Sequence, residues 1–556
     1  MQITDKLSRP VIILTIAVSA FILSIPLWMP INGHDGWIHL NWLEQFTRLF
    51  REGDLYPRWM PDSFSGYGSP AFYVYPPFTY WFASLLSLTG LHSAESLYFA
   101  VTIICIFASG VTFFMYTREV VFSKQSSLVG ALCYSLAPYA LIDVAIRNAL
   151  SEQVAFVWIP LMFIGIERWI VRQEAEKKRV AGATLFIFTT ACLALTNIPA
   201  FIITCISSLI YIVSRKSERS IINRVLLFTV GIVTVSLLTA FYSGTAFSVQ
   251  NQISTSYLWA ILGGKPIHRW MLGIGERYQH FRDLFLVLTL LLGILTVAFV
   301  RKSTGRYEML RAIIALSILA IVFQVPYLTD WLYNLPILHY IQFDQRWNMI
   351  LVFTGAVSIA VLLDSRHKYS VKLSSILLAC AGCVPVVVTL LFSNPPSREV
   401  VHIFRNDPPE YISKYVQDTT IVPPKYFSSL GMASFIDGAY SVSWKKIGTS
   451  TYEITKSTEA EVDVRFKLQY FPFWWLSEPR MDRVELYGDK SGVLHARLPK
   501  GKGTYYLSQV VEGRETYELL SIMSFSLVVS VLILSHYRDK LLQLLRKVNK
   551  FFNCSI

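Results

Sequence analysis

The sequence predicts an all-α, polytopic membrane protein with a β-rich domain outside the membrane near the C-terminal end. Hydrophobic residues make up 53% of the 556 residues and charged residues only 16%, well below the roughly 25% of soluble domains. Apolar runs of about 17 to 22 residues recur, and each is long enough to cross a bilayer. A late polar segment instead alternates apolar and polar residues, which is typical of a half-buried strand.

The net charge of +13 comes from 50 basic and 37 acidic residues. Most basic clusters fall in short loops between apolar runs, where the positive-inside bias places them in the cytoplasm. We therefore expect contacts with membrane lipids and no nucleic-acid partner. The first expected span is 10–29, which makes the N-terminus cytoplasmic and the following loop external.

The chain divides into a transmembrane domain, 1–392, an extracytoplasmic β-sandwich-like domain, 393–517, and a final span with a basic cytoplasmic tail, 518–556. We expect about twelve spans in a cytoplasmic (inner) membrane, with both termini inside. Segment 72–89 contains two adjacent prolines and is expected to be re-entrant or interfacial. The other expected spans are 97–116, 126–142, 153–171, 181–196, 198–213, 225–243, 283–300, 309–325, 347–364, 371–392 and 518–536.

The first external loop, 30–80, is long, aromatic and charged at selected points. Asp35 stands about five residues beyond the first apolar run, with His34 beside it and His39 four residues on. A carboxylate within hydrogen-bond reach of an acceptor hydroxyl can act as a general base. The structural alternative is that Asp35 caps the next helix. That helix, 38–50, has one broad apolar face and is expected to lie in the interface plane.

Three further constellations place polar groups at the outer ends of spans. Asp143, Arg147 and Glu152 lie in the turn between spans 126–142 and 153–171. Charged groups held between helices at a membrane face are functional candidates by default. The alternative is that Asp143 and Arg147, one helical turn apart, form a simple ion pair.

Arg346 precedes span 347–364, where an arginine can grip a phosphate through two parallel hydrogen bonds. It is equally consistent with an interfacial anchor beside Trp347. Loop 244–282 carries His268 and Arg277 among glycines and is either a lid over a lipid phosphate or a plain solvated loop.

The external domain contains the run EVDVRFKLQY from residue 461. Its apolar residues share one strand face and its polar residues the other. Glycine-containing turns at 488–492 and 499–503 separate later strands. The apolar set is Val462, Val464, Phe466, Leu468 and Tyr470, and the polar set is Glu461, Asp463, Arg465, Lys467 and Gln469.

These motifs resemble a known family. HDGWIHLNWLEQFTRLFREGDLYPRW and SGYGSPAFYVYPPFTYW are similar to the first external loop of bacterial membrane proteins related to 6-pyruvoyl-tetrahydropterin synthase, which resemble YfhO-like members of the GT-C glycosyltransferase superfamily. PYALIDVAIRNALSE and LPILHYIQFDQRW are similar to two further signatures, and YFPFWW and LPKGKGTYYL to the β domain that closes such chains. The resemblance therefore covers most of the chain.

The resemblance implies an inverting transfer of a sugar from a polyprenyl-phosphate donor to a lipid, glycan or protein acceptor at the outer face. Asp35 matches the position of the catalytic acid. Donor-phosphate contacts would come from Arg58, Arg147, Arg346, His268 and Arg277, and the acceptor site would be shaped by His34, His39, Asp143, Glu152 and Tyr75. The second loop contains no clear paired-acid metal motif, so no metal ligand is assigned. A divalent cation, Mg²⁺ or Mn²⁺, stays an open alternative.

Two rival functions remain. A transporter or flippase of lipid-linked saccharides would show internal repeats and charges near the membrane midplane, whereas here the charges cluster at the outer ends of spans. A non-catalytic cell-envelope assembly protein would not need Asp35. The enzyme hypothesis requires that Asp35, Arg147 and Arg346 converge on one outer-face cavity, because catalytic groups act within hydrogen-bond distance of one reacting centre.

Overall fold

The computed structural model describes residues 8–24, 35–120, 123–254, 304–325, 337–365, 411–416, 434–437, 441–479 and 483–553, with positions 328, 332 and 335. The helices in these ranges are α1 (Arg9–Ser24), α2 (Gly36–Arg51), α3 (Ala71–Val74), α4 (Phe78–Ser87), α5 (Ala94–Glu119), α6 (Lys124–Ser135), α7 (Pro138–Ile142), α8 (Leu150–Ile166), α9 (Glu176–Thr196), α10 (Ile198–Ser214), α11 (Ile221–Leu238), α12 (Ala240–Gln250), α13 (Thr304–Val322), α14 (Asn348–Ser365) and α15 (Arg514–Asn553). Two π-helical segments flank α8, at Asp143–Arg147 and Glu167–Val171.

Within the described ranges, six helices are long and apolar enough to cross a bilayer. They are Ala94–Glu119, Leu150–Val171, Glu176–Thr196, Ile221–Leu238, Asp344–Asp364 and Arg514–Ser535. Three shorter apolar helices, Arg9–Ile22, Ile198–Ser214 and Met309–Val322, match further expected spans. The expected spans 283–300 and 371–392 lie outside the described residues, so the count of about twelve stays a prediction.

Three expected elements differ in detail from the sequence prediction. Span 126–142 is two helices rather than one, because Pro138 starts α7 and the preceding Ala137 has an extended ψ of 144°. Span 225–243 is likewise broken at Thr239, between α11 and α12. The helix expected at 518–536 begins at Arg514 and continues to Asn553, so it includes most of the basic tail.

Segment 72–89 forms α3 and α4 on either side of the two prolines. At ten residues, α4 is about 15 Å long, which is half the thickness of a bilayer core. It packs against α2 and α5. The segment therefore does not cross the membrane as a single helix.

Helix α8 lies at the centre of the helical core and packs against α5 and α9. Aromatic rings fix this packing: Phe163 stacks on Phe353 of α14 at 4.7 Å between centroids, and Phe353 also meets Phe113 of α5 at 5.6 Å. Every residue of α8 except Trp158 and Leu161 is buried. This packing holds the N-terminal end of α8, and the π-helical turn before it, in a fixed place.

The C-terminal domain contains two four-stranded antiparallel sheets, with strand orders β1-β4-β7-β6 and β2-β3-β8-β5. The strands are β1 (Ile436–Asp437), β2 (Val442–Lys446), β3 (Tyr452–Lys456), β4 (Val462–Gln469), β5 (Trp474–Ser477), β6 (Leu486–Gly488), β7 (Val493–Leu498) and β8 (Gly503–Gln509). Val464, Phe466 and Leu468 are fully or almost fully buried, as the alternating pattern predicts. The domain boundaries at 393 and 517 stay predictions.

The β domain packs directly on the first external loop. Trp59 lies edge-on against Trp474 at 5.2 Å between centroids, and the Gln469 main-chain amide donates to the Tyr67 carbonyl at 2.9 Å. The Gln469 side chain donates to the carbonyl of Gly68 and accepts from the amide of Ser413. Gln469 is therefore buried rather than solvent-facing, because the loop covers that end of its strand face.

Candidate functional site

The sequence-predicted charged groups meet around the guanidinium of Arg147. Its Nη1 donates to Asp143 Oδ1 at 2.6 Å and to Glu152 Oε2 at 3.0 Å. The same nitrogen lies 3.2 Å from the hydroxyl of Tyr139, which itself donates to Glu152 Oε1 at 2.5 Å. Arg147 is 2% exposed, so these contacts are shielded from water. Asp143 and Arg147 do form the one-turn pair expected from their spacing, but within a larger network.

Asp35 joins this network through both its main chain and its side chain. Its amide donates to the Arg147 carbonyl at 2.7 Å, and its carboxylate oxygen Oδ2 lies 3.8 Å from Arg147 Nη2. Asp35 occupies the N-cap position of α2, but its side chain makes no capping hydrogen bond. The capping alternative therefore does not account for its carboxylate.

Arg346 joins the same network through Glu152. Its Nε donates to Glu152 Oε2 at 3.2 Å, and its Nη1 donates to the Ile341 carbonyl at 2.8 Å and to Gln342 Oε1 at 3.0 Å. Trp347 is fully buried and stacks on Phe323 at 4.3 Å between centroids. Arg346 and Trp347 are therefore both packed inside the protein rather than presented on its surface.

Two backbone positions beside the arginines adopt a left-handed conformation. Asn148, directly after Arg147, has φ +53°, and Gln342, which accepts from Arg346, has φ +64°. Residues other than glycine hold such angles at a cost of about 1 to 3 kcal/mol and persist only where the surroundings enforce them. The tertiary structure therefore holds both arginines through constrained backbone.

The three acids differ in their exposure. The side chain of Asp35 is 24% exposed, whereas Asp143 is 0% and Glu152 is 1% exposed. Burial raises the pKa of the Asp143 carboxyl well above its usual range, and the nearby Glu152 raises it further while Arg147 and Arg346 oppose that shift. Asp35 is therefore the acid in this network that a reactant hydroxyl can reach.

An aromatic wall stands next to Asp35. His39 is 4% exposed, and its Nδ1 lies 2.6 Å from the hydroxyl of Tyr80. Burial lowers the pKa of His39 to about 4; nearby Asp35 opposes this shift and Arg147 adds to it. Tyr75 packs on Trp42 at 4.7 Å between ring centroids, and burial raises its pKa to about 12. His39 and Tyr75 thus belong to one ring cluster, and their expected part in shaping the acceptor site stays a prediction.

Arg58 is not brought to this network. It pairs with Glu518 of α15 at 3.1 Å and stacks 4.0 Å above the ring centroid of Tyr56. Arg58 thus joins the loop that follows α2 to the last helix, and its expected contact with the donor phosphate stays a prediction. His34, His268 and Arg277 lie outside the described residues, and their expected roles stay predictions.

Sequence reasoning missed two residues that complete the network. Tyr139 bridges Arg147 and Glu152, and Gln153 donates to the main-chain carbonyl of Asp143 at 3.0 Å while accepting from Thr102 at 3.0 Å. Both stand within the quoted turn or next to it. Their position beside charged residues in an apolar surrounding was the available signal, because buried polar groups need partners.

No protein-family model and no curated protein matches the sequence. Among solved structures the chain is similar to the arabinofuranosyltransferase AftD from Mycobacteria, with 13% identity over 70% of this chain and 27% of that chain and a TM-score of 0.47. It is also similar to the Archaeoglobus fulgidus oligosaccharyltransferase, with 15% identity over 75% and 56% of the two chains and a TM-score of 0.40. ArnT from Cupriavidus metallidurans has 12% identity over 64% and 77%, with a TM-score of 0.28.

These neighbours are GT-C glycosyltransferases, the class that the sequence resemblance implies. The chain spans about a quarter of the AftD structure and just over half of the oligosaccharyltransferase. At such identities and TM-scores the likeness carries no argument about activity.

Proposed function

We propose that this chain is a GT-C-type membrane glycosyltransferase that moves a sugar from a polyprenyl-phosphate donor to an acceptor at the outer membrane face. One observation carries the proposal: Asp35, Arg147, Glu152 and Arg346 form one connected ion network, although they come from three distant parts of the chain. A catalytic site must assemble a base and a cation around one reacting centre. A loop that only connects two spans has no such need.

The chemistry follows from the exposures of the acids. In an inverting transfer the acceptor oxygen bonds to the anomeric carbon as the bond from that carbon to the phosphate oxygen breaks. The acceptor proton passes to a base, which we assign to Asp35 because the other two acids are fully enclosed. The lipid phosphate leaves with the bonding electrons, and a buried guanidinium stabilises the negative charge that develops. Arg346 is the candidate for that cation.

The aromatic wall beside Asp35 fits the same reaction. Tyr75 is half-buried in the ring cluster with Trp42 and His39. An aromatic face offers an apolar surface for the ring of a sugar, and its position next to Asp35 would orient an acceptor hydroxyl toward the carboxylate. Orientation of this kind is a large part of the rate gained in group transfer.

The test is complementation of a deletion strain with Asp35→Asn. Asparagine keeps the size of aspartate but removes the basic carboxylate, so we expect transfer to fall by about 10²-fold or more. The readout is mass spectrometry of surface glycans and glycolipids, with the protein level checked in the membrane. The expected result is loss of the same glycan species as in the deletion strain.

A matched control is Asp62→Asn in the same loop. Asp62 pairs with Arg48 at 2.6 Å, but its side chain is 56% exposed, and surface pairs of this kind contribute little. The control should restore the wild-type glycan profile. A normally expressed Asp35→Asn protein that also restores it would overturn the assignment of the base and favour a transporter or an assembly role.

A further inference from the structure

We propose that Arg147 is the resident cation of the acidic cluster: it positions Asp35 and occupies the place that a divalent metal ion would take. Its positioning role in catalysis rests on the function proposed above, whereas the claim that the cluster binds no metal does not. Arg147 would then bind the acids of the cluster and not the donor phosphate, which is the role that the family resemblance implies.

The geometry points to this assignment because one terminal nitrogen of the Arg147 guanidinium is already held by the two enclosed acids. One nitrogen, Nη1, contacts Asp143, Glu152 and Tyr139 within 3.2 Å, and the other, Nη2, faces Asp35 at 3.8 Å. A phosphate at Nη1 would have to displace Asp143 and Glu152, which are 0% and 1% exposed. Removing a cation from a buried carboxylate costs about 3 to 5 kcal/mol, so donor binding at this nitrogen is disfavoured.

The positioning role follows from the two-point attachment of Asp35. The main-chain carbonyl of Arg147 accepts from the Asp35 amide at 2.7 Å and holds the start of α2, while the Arg147 guanidinium faces the Asp35 carboxylate at 3.8 Å. The left-handed Asn148 directs the chain away immediately after this contact. Arg147 thus lies between Asp35, the proposed base, and Glu152, and Glu152 in turn contacts Arg346.

The same geometry leaves no fit for a divalent cation. Mg²⁺ requires about six oxygen ligands at 2.0 to 2.1 Å, whereas here a guanidinium already lies among the carboxylate oxygens. A second cation placed there would face strong repulsion in a low-dielectric site. Within the part of the chain that the structure describes, no three acidic, histidine or cysteine side chains are arranged to hold a metal. No step of the proposed reaction is routed through one.

The first test measures Mn²⁺ binding to the purified wild-type protein in lipid nanodiscs by electron paramagnetic resonance. The expected result is that any bound Mn²⁺ is unchanged in Asp143→Asn, because this acid already binds Arg147. A stoichiometric Mn²⁺ site in the wild type that Asp143→Asn abolishes would overturn the proposal. This outcome is independent of the glycan readout and leaves the proposed transferase function standing.

The second test compares Arg147→Lys with Arg147→Gln in the complementation assay. Lysine keeps a positive charge among the acids, so we expect glycan output within about tenfold of wild type, whereas glutamine should lower it about 100-fold or more, because it leaves the acids without their cation. Equal output from the two variants at matched membrane levels would contradict a cation role. If an Arg147 variant fails to fold, the Mn²⁺ comparison of wild type with Asp143→Asn still tests the metal claim.

Discussion

At the scale of single residues, the site combines charged groups whose burial would be costly in free energy if they were not paired with one another. Three carboxylates and two guanidinium groups lie within one network, with the tyrosine hydroxyl of Tyr139 between two of them. Burying one unpaired charge is strongly unfavourable, so the members hold one another in position. Asp35 is the exception, because it is partly exposed. That difference separates the residue suited to react from those that position it.

His39 gives a prediction about pH at this scale. Its pKa is about 4 in the folded protein against 6.5 when unperturbed, so the unfolded chain binds more protons between these values. Stability therefore rises with pH in that window: the contribution is complete above pH 6.5 and is lost as pH falls toward 4. The shift corresponds to something on the order of 3 kcal/mol.

Thermal unfolding in detergent at a series of pH values checks this prediction. The melting temperature of the wild type should fall more steeply between pH 6.5 and 4 than that of His39→Gln, which has no titrating ring. Parallel curves for the two proteins across this window would show that His39 does not titrate as its burial indicates.

The charged residues of the site could be predicted from the sequence, but their pairings could not. Asp35, Asp143, Arg147, Glu152 and Arg346 were identifiable as charged groups at the ends of apolar runs, where charge is expensive. Their pairings were not, since Arg346 contacts Glu152 across nearly two hundred positions of the chain. Arg58 shows the limit: the same signal of a charge among aromatic residues marked a contact between the first loop and the last helix.

At the scale of elements, the first external loop is a packed layer between the helices and the β domain. Gly68 makes this packing possible: it has φ +77°, and a Cβ there would lie 2.2 Å from Trp59 Cζ2. Trp59 in turn contacts Phe471, Phe473 and Trp474. The packing of this loop therefore requires a glycine at position 68, where the backbone lies against the Trp59 indole.

Gly68→Ala should destabilise the protein by about 2 to 4 kcal/mol, because the added methyl group displaces Trp59 and strains the backbone. The matched control is Gly53→Ala, which also has a positive φ, +103°, but nothing within 4 Å of the added atom. The control measures only the loss of stability from placing alanine at a positive φ, about 1 kcal/mol. Melting temperatures and limited proteolysis of the β domain measure both. Equal losses for the two variants would show that Trp59 does not depend on this approach.

Helices and strands could be predicted from the sequence where the apolar residues recur with a single clear period. The strand at 462–469 and the helix at 36–51 follow their apolar periods. The prediction failed at Ala137 and Thr239, where apolar runs continue through breaks in the helices, because hydropathy records burial and not backbone direction. Gln469 was missed for another reason: its face of the strand is covered by a loop some 400 residues earlier in the sequence.

At the scale of the whole molecule, the charges at the two ends of α8 define the expected orientation. One end meets the Asp35 and Arg147 network, and the other carries Glu167, which pairs with Arg172 and Arg215. The loops after this second cluster are basic, so the positive-inside rule assigns them to the cytoplasm. On this rule we expect the β domain outside, on the side of Asp35.

Cysteine labelling tests this orientation. Lys446→Cys lies on an exposed strand of the β domain, and Lys178→Cys replaces a side chain that is 70% exposed near the start of α9. In a background without native cysteines, a membrane-impermeant maleimide should label position 446 in intact cells and position 178 only after lysis. The reverse pattern would invert the topology and place Asp35 in the cytoplasm.

Transfer by the purified protein would show directly whether Asp35 acts as the base. Wild type and Asp35→Asn in nanodiscs would receive the lipid fraction extracted from the deletion strain, and mass spectrometry would follow free polyprenyl phosphate and glycosylated product. We expect wild type to form both and Asp35→Asn neither. Equal product from the two proteins, or movement of intact lipid-linked sugar across a liposome bilayer by wild type without cleavage, would contradict this expectation.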